Sequence, residues 1–310
     1  MPDVLTQSGL SYPKQDLKEG LQTRLETLRR SQNPDGGWGF VPGKASWLEP
    51  TAYAALALHG EPAADRAWAL LRSWQLPDGG WPPSAGVKAS GWGTALCATI
   101  AMARNEWDAP LQKGIAWLVG AAGVETNWLA VVFSRIGLVD YGRNVALKAW
   151  PWRPGNSGWV EPTVHALVAL KLAAPKLSSK ELRERVQTGE AQLLDVRGRD
   201  GGWNYGSPKV LGVELPSYPE TTALALVALQ GRKDMGKAFD LARKQIAETP
   251  SPMARAWLTI AMRLHGMDVN PPEPAGKSPA DLVITAVEAL AAPEGNFRFF
   301  KTPALSGGAV

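Results

Sequence analysis

A seven-residue turn unit that recurs along the chain limits the fold more than any other feature. Gln32-Asn-Pro-Asp-Gly-Gly-Trp38 returns as Gln75-Leu-Pro-Asp-Gly-Gly-Trp81 and, with Arg in the first place, as Arg197-Gly-Arg-Asp-Gly-Gly-Trp203. Asp-Gly-Gly supplies the positive-φ positions of a tight turn, so each copy belongs just after a helix and not within one. Each copy leads into a second signature that opens an apolar segment: Glu49-Pro-Thr-Ala, Glu161-Pro-Thr-Val-His165 and Glu220-Thr-Thr-Ala superpose without gaps. Weaker copies begin at Trp92, Glu125 and Ser251, which makes six. Proline and an acid in the first turn are favoured at helix N-termini. The segments that follow are apolar nearly all round, as buried helices are.

Between these inner segments lie stretches with one charged face, at 14–31, 63–74, 109–119, 178–194, 234–248 and 278–291. They read as outer helices. Six inner and six outer helices in alternation predict an all-α chain folded as an (α/α)6 toroid. No internal linker interrupts it, so one domain is expected over 14–292, with an arm at 1–13 and a tail at 293–310 that docks through its phenylalanines before loosening.

Composition narrows the function. The chain has 310 residues and a formal charge of +4, with its 33 basic residues spread out and not in blocks. A nucleic-acid partner is therefore not expected. One cysteine and three histidines make a poor set of soft ligands, so no metal and no cofactor are inferred. No apolar run reaches the roughly 20 residues of a membrane span, and the first residues lack the basic flank and apolar centre of a secretory signal. The reading is cytoplasmic, with peripheral contact at a membrane left open. Tryptophan is the outlier: its 14 copies outnumber Tyr and Phe together.

The Gln-x-x-Asp-Gly-x-Trp turns and the Glu-x-Thr helix starts resemble the squalene–hopene and oxidosqualene cyclase superfamily, over residues 32–265. That family shares its toroid with protein prenyltransferase β subunits. The resemblance implies that Gln32, Trp38, Gln75, Trp81 and Trp203 are structural ties between outer helices. It also implies class II terpenoid cyclase chemistry, in which the middle Asp of Asp-x-Asp-Asp-Thr-Ala protonates an alkene or epoxide. No Asp-x-Asp-Asp occurs here. With Thr-Ala setting the register, the donor position falls on Glu49, and equivalently on Glu161 and Glu220. The zinc set of the prenyltransferases has no counterpart, since no Asp stands near Cys97.

If all inner helices start on one rim, Glu49, Glu125, Glu161 and Glu220 converge there with Trp47, Trp92, Trp128, Trp159 and Tyr218. An aromatic wall beside acids suits a hydrophobic isoprenoid-like ligand that develops positive charge. Glu161 and His165 are four residues apart on one helical face, a candidate acid and base. Trp150, Trp152 and Arg153 lie in a Pro/Gly loop and read as a rim-packed loop or a clamp for an anionic head group. His59, His265 and Cys97 read as structural. The expected activity is proton-initiated cyclisation or isomerisation. The alternative is a non-catalytic toroid that binds a hydrophobic ligand or a protein. Because the family builds its cavity between two barrels, an active chain would need a homodimer, a second cyclase-like chain or an unusually self-contained pocket.

Overall fold

The computed structural model describes residues 14–177, 179–210, 212–269 and 280–304. The expected arm at 1–13 and the end of the tail lie outside them. In chain order the helices are α1 (Lys14–Arg30), α2 (Leu48–Ala57), α3 (Pro62–Ser73), α4 (Gly93–Ala103), α5 (Ala109–Gly120), α6 (Trp128–Arg135), α7 (Val160–Ala173), α8 (Lys180–Asp195), α9 (Pro219–Ala228), α10 (Gly236–Glu248), α11 (Pro252–Leu264) and α12 (Leu282–Ala291). A two-stranded hairpin, β1 (Lys209–Val210) with β2 (Val213–Glu214), sits in the loop before α9.

The repeated turns work as splices between helices. The last turn of a helix leaves carbonyls without partners. The indole N–H of Trp38 donates to the Leu28 carbonyl at the end of α1 (2.8 Å), Trp81 to Leu71 (2.8 Å) and Trp203 to Leu193 (2.6 Å). Their backbone N–H groups donate forward to the hydroxyls of Thr51, Thr94 and Thr222 in the next inner helix. Gln32 ties the turn to α3 by donating to the carbonyls of Gly36 and Ala63, and Gln75 does the same with Gly79 and Pro110. Arg197 replaces glutamine by donating to Gly201 and Asp234.

A fourth splice carries no Asp-Gly-Gly. Trp150 is 2% exposed, donates its indole N–H to Leu118 (2.7 Å), and donates its backbone N–H to the Thr163 hydroxyl (3.0 Å). The guanidinium of Arg185, from α8, lies 3.2 Å from the centre of its ring and donates to the carbonyls of Lys148 and Ala121. Trp150 is thus a core joint, and not the rim residue that its Pro/Gly surroundings suggest.

The inner helices are also stitched to one another. The first peptide N–H of α12, at Leu282, donates to the Phe40 carbonyl ahead of α2 (2.8 Å); Leu48 of α2 donates to Pro83 (2.8 Å), Trp92 of α4 to Trp152 (3.0 Å) and Val160 of α7 to Tyr205 (2.9 Å). These bonds bring the starts of α12, α2, α4 and α7 and the loop leading into α9 to one end of the molecule. α9 packs on α11, α11 on α12 and α12 on α2. The inner series α2, α4, α7, α9, α11, α12 therefore returns to where it began, with α1, α3, α5, α8 and α10 packed around it.

Two assignments change. The segment expected to be an outer helix at 278–291 is α12, an inner one, with eight of its ten residues buried. Its two acids had suggested a solvated face. Asp281 instead caps the helix by accepting from the N–H groups of Val283 and Ile284, and Glu288 pairs with Arg24 of α1. Conversely, the start at Glu125 leads into α6, which buries only Ala130 and lies outside the inner series. After α12, Phe297 and Phe300 are buried.

Candidate active site

Glu49, Glu161 and Glu220 are each the second residue of an inner helix (α2, α7 and α9), two places after an aromatic residue in extended conformation: Trp47, Trp159 and Tyr218. In α4 the matching place, two before the threonine, is Trp92. The three carboxyl groups face neither guanidinium nor ammonium: among the described residues none has a hydrogen-bond or ion-pair partner.

Loss of hydration with no compensating cation disfavours the charged form. Desolvation, then the charges of Asp281 and Glu220, pushes Glu49 up to about 7. Desolvation, then Glu49 and Glu220, pushes Glu161 up to about 8. Burial raises Glu220 as well. The mutual charge effects place these acids in one electrostatic neighbourhood. Asp281 belongs to it too; the sequence reading missed it because α12 had been placed on the outside.

His165 does not pair with Glu161. It is 3% exposed, its Nε2 lies 3.2 Å from the Tyr53 hydroxyl of α2, and burial pushes it down to about 3, so it is neutral. Spacing alone put both on one helical face, but His165 stands one turn deeper, where Tyr53 is within reach. Its ring lies between those of Trp92 (5.4 Å) and Trp257 (5.9 Å), and Trp257 continues to Phe300 (5.4 Å). Tyr53 is pushed well above its ordinary value by burial and by the charges of Glu49, Glu161 and Glu220. Below the acids there is therefore a buried column of Tyr53, His165, Trp257 and Phe300. Trp257 could have been found from its place in the weak helix start at Ser251.

Trp47 (40% exposed), Trp159 (39%) and Tyr218 (43%) stand at the helix starts, and Trp92 meets Trp152 edge to face at 5.1 Å. Three expectations fail. Trp128 is 72% exposed on α6, beyond the inner series. Glu125 is 8% exposed and engaged elsewhere: it pairs with Arg143 (3.1 Å) and accepts the Gly158 N–H (2.8 Å). Arg153 is exposed, bonds only Asn156 of its own loop, and contributes nothing to the electrostatics of the acids, so it forms no clamp over them. His59 (edge to face with Phe299), His265 (bonded to the Leu226 carbonyl) and Cys97 (0% exposed) sit in structural roles. Among the described residues no three His, Cys, Asp or Glu side chains are grouped to hold a metal ion.

Gly158 fixes the approach to α7. Arg143 bonds its carbonyl (2.9 Å) while Glu125 accepts its N–H, and a Cβ there would fall 2.3 Å from that of Ala149. Gly158→Ala should cost about 1–3 kcal/mol through overpacking. Denaturant unfolding measures it, and a variant as stable as the parent would refute this packing.

No protein-family model matches the chain. Drimenyl diphosphate synthase of Streptomyces showdoensis is 42% identical over 73 residues, a match that spans 21% of this chain and 14% of that protein. The type II terpene cyclase MstE from Scytonema, in a variant form holding geranylgeranyl dihydroxybenzoate as substrate, superposes with a TM-score of 0.54 at 16% identity, covering 90% of this chain and 77% of the other. The endoglucanase Cel10 of Klebsiella pneumoniae, a family 8 glycosyl hydrolase, superposes at 0.59 with 14% identity over 87% and 97%. This helical architecture is therefore shared by enzymes of unrelated chemistry, and it tells function only through its site. The chain has the helical fold of the type II terpene cyclases.

Proposed function

We propose that this chain is an (α/α)6 toroid acting as a terpenoid cyclase-like enzyme, which starts cyclisation or isomerisation of an isoprenoid-like substrate by donating a proton from Glu161, with Glu49 and Glu220 as neighbouring acids. One observation carries the reading. Three carboxyl groups occupy equivalent helix starts, lack any cationic partner among the described residues, and are all raised by burial, Glu49 to about 7 and Glu161 to about 8, so that Glu161 keeps its proton at pH 7. The rings of Trp47, Trp92, Trp152, Trp159 and Tyr218 would then stabilise a developing cation by about 0.5–2 kcal/mol each. An acid of this strength donates more readily to oxygen than to a bare alkene. A substrate with an epoxide or another oxygen at its reacting end is therefore favoured.

The absence of Asp-x-Asp-Asp supports a second reading, in which the same mouth binds a hydrophobic ligand without transforming it. Incubation of the purified protein with squalene, oxidosqualene, farnesyl and geranylgeranyl diphosphates and geranylgeranyl dihydroxybenzoate, followed by mass spectrometry, separates the two. A new isomer of unchanged mass that disappears in Glu161→Gln supports catalysis. Tight binding with every substrate recovered intact supports the binding module.

A further inference from the structure

The turns ahead of α2, α4 and α9 share one further tie, which the turn ahead of α7 makes in another way. In each Asp-Gly-Gly turn the aspartate reaches across to the loop that enters the next inner helix. Asp35 accepts from the Gly37 N–H (2.9 Å) and the Ser46 hydroxyl (2.8 Å), Asp78 from Gly80 (3.0 Å) and Ser90 (2.7 Å), and Asp200 from Gly202 (3.1 Å) and Ser217 (2.7 Å). Before α7 the matching place, three residues ahead of Trp150, is Leu147, and the residue before Trp159 is Gly158. Neither a carboxylate nor a hydroxyl stands there to make the bond.

A carboxylate from elsewhere takes the place. Glu125 accepts the Gly158 N–H (2.8 Å) and Arg143 donates to the Gly158 carbonyl (2.9 Å), while the two side chains pair with each other (3.1 Å). Both flank α6, so a segment outside the inner series grips the loop that enters α7. The second oxygen of Glu125 is buried with no hydrogen-bond partner among the described residues. A pair so placed adds little stability, because desolvation offsets its attraction; what it can supply is register. From Gly158 onward the chain is pinned residue by residue: the Trp159 N–H donates to the Trp150 carbonyl (3.0 Å) and the Val160 N–H to that of Tyr205 (2.9 Å). Glu161 follows directly.

Of the three equivalent acids, Glu161 is therefore the one whose helix start is set by a charged pair and not by an aspartate–serine bond. We infer that Glu125 and Arg143 are positioning residues for Glu161, a role that rests on reading Glu161 as the proton donor: by holding Gly158 they keep the first turn of α7 oriented so that its carboxyl group stays with those of Glu49 and Glu220. The pair acts by geometry and not by charge, since Glu161 feels Glu49 and Glu220 but neither Glu125 nor Arg143. The titratable groups around Glu161 are Glu49 and Tyr53 from α2, Glu220 from α9 and Tyr205 from the loop before α9. The neighbouring α4 brings Trp92, and Arg185 of α8 is engaged on Trp150. Were the start of α7 to loosen, hydration would return to the carboxyl group and its proton affinity would fall toward the ordinary value.

The titration of one carboxyl group tests this without turnover. In the full chain, the infrared band of a protonated acid that is present in the parent and missing from Glu161→Gln should titrate with a midpoint of about 8. Arg143→Met should lower that midpoint by about a unit or more. Glu125→Gln, which removes the ion pair but keeps an acceptor for Gly158, should move it in the same direction and serves if Arg143→Met does not fold. Asp78→Asn breaks the equivalent tie ahead of α4, whose start bears Trp92 and no acid, and should leave the midpoint unmoved. Where the parent converts a substrate, Arg143→Met should lower kcat by about a hundredfold with KM unchanged, as a misplaced donor does. The inference falls if the parent's midpoint already lies at the ordinary carboxylate value, if parent and both pair variants titrate alike, or if Asp78→Asn shifts the midpoint as far, since loosening anywhere would then suffice. A parent and variants that titrate as expected while no substrate is converted would uphold the positioning role and remove only the proton-donor reading.

Discussion

Glu161→Gln is expected to slow proton-initiated turnover by about a hundred- to ten-thousand-fold, the range seen when a positioned general acid is removed, while leaving the folded protein more stable at alkaline pH. The second half follows from linkage. The folded-state value of Glu161 is raised to about 8 from an ordinary 4.5. Below pH 4.5 both states are protonated and the group is neutral in its effect. As pH rises from 4.5 to about 8, the unfolded chain releases the proton while the folded chain retains it, so stability falls across that window. Gln carries no such penalty. Because the carboxyl group is partly open to solvent, the gain at pH 8 is expected on the order of 1–3 kcal/mol, below what the full shift would give. Thermal unfolding at pH 5 and pH 8 checks it. A variant that loses stability equally at both values would show that Glu161 is held by a partner and is not a strained acid.

The other large effect concerns the unsigned splice. Trp150→Ala should cost about 3–5 kcal/mol, the range for emptying a buried large aromatic site. The loss is compounded because the Leu118 carbonyl loses its donor and the Arg185 cation loses the ring beneath it, a site where burial has already pushed the guanidinium down to about 9. Trp128→Ala, on the exposed α6, should fall within about 0.5 kcal/mol of the parent. Denaturant unfolding of the pair tests the contrast; equal costs would put Trp150 at the surface or Trp128 in the core.

The two tryptophans also show what was legible in the sequence. Alternating apolar and one-faced segments predicted the helices, because burial on all sides leaves a compositional mark that packing cannot hide. The register of Glu49, Glu161 and Glu220 was legible for a similar reason: the threonine two places later is held by a backbone N–H in every copy, so it could not drift. Trp150 escaped because its partner, Arg185, comes from another helix and leaves no local motif. Asp281 and Glu288 misled because a capping acid and a paired acid look, in one dimension, like a wet face. Glu125 misled in the opposite sense: its spacing matched the helix starts, but a half-buried arginine 18 residues later claims it. Spacing could not reveal which residue His165 would choose, since Tyr53 arrives from 112 residues away.

The hydrogen bond from Leu282 to Phe40 joins the last inner helix to the loop ahead of the first. The packing of α12 on α2 cannot form until α12, about 230 residues later in the chain, has left the ribosome. The earlier repeats must wait with one greasy edge unsealed. Slow maturation, late protease resistance and reliance on chaperones during synthesis are the expected signature of that closure. A circular permutant that keeps the two extremities tethered should seal sooner.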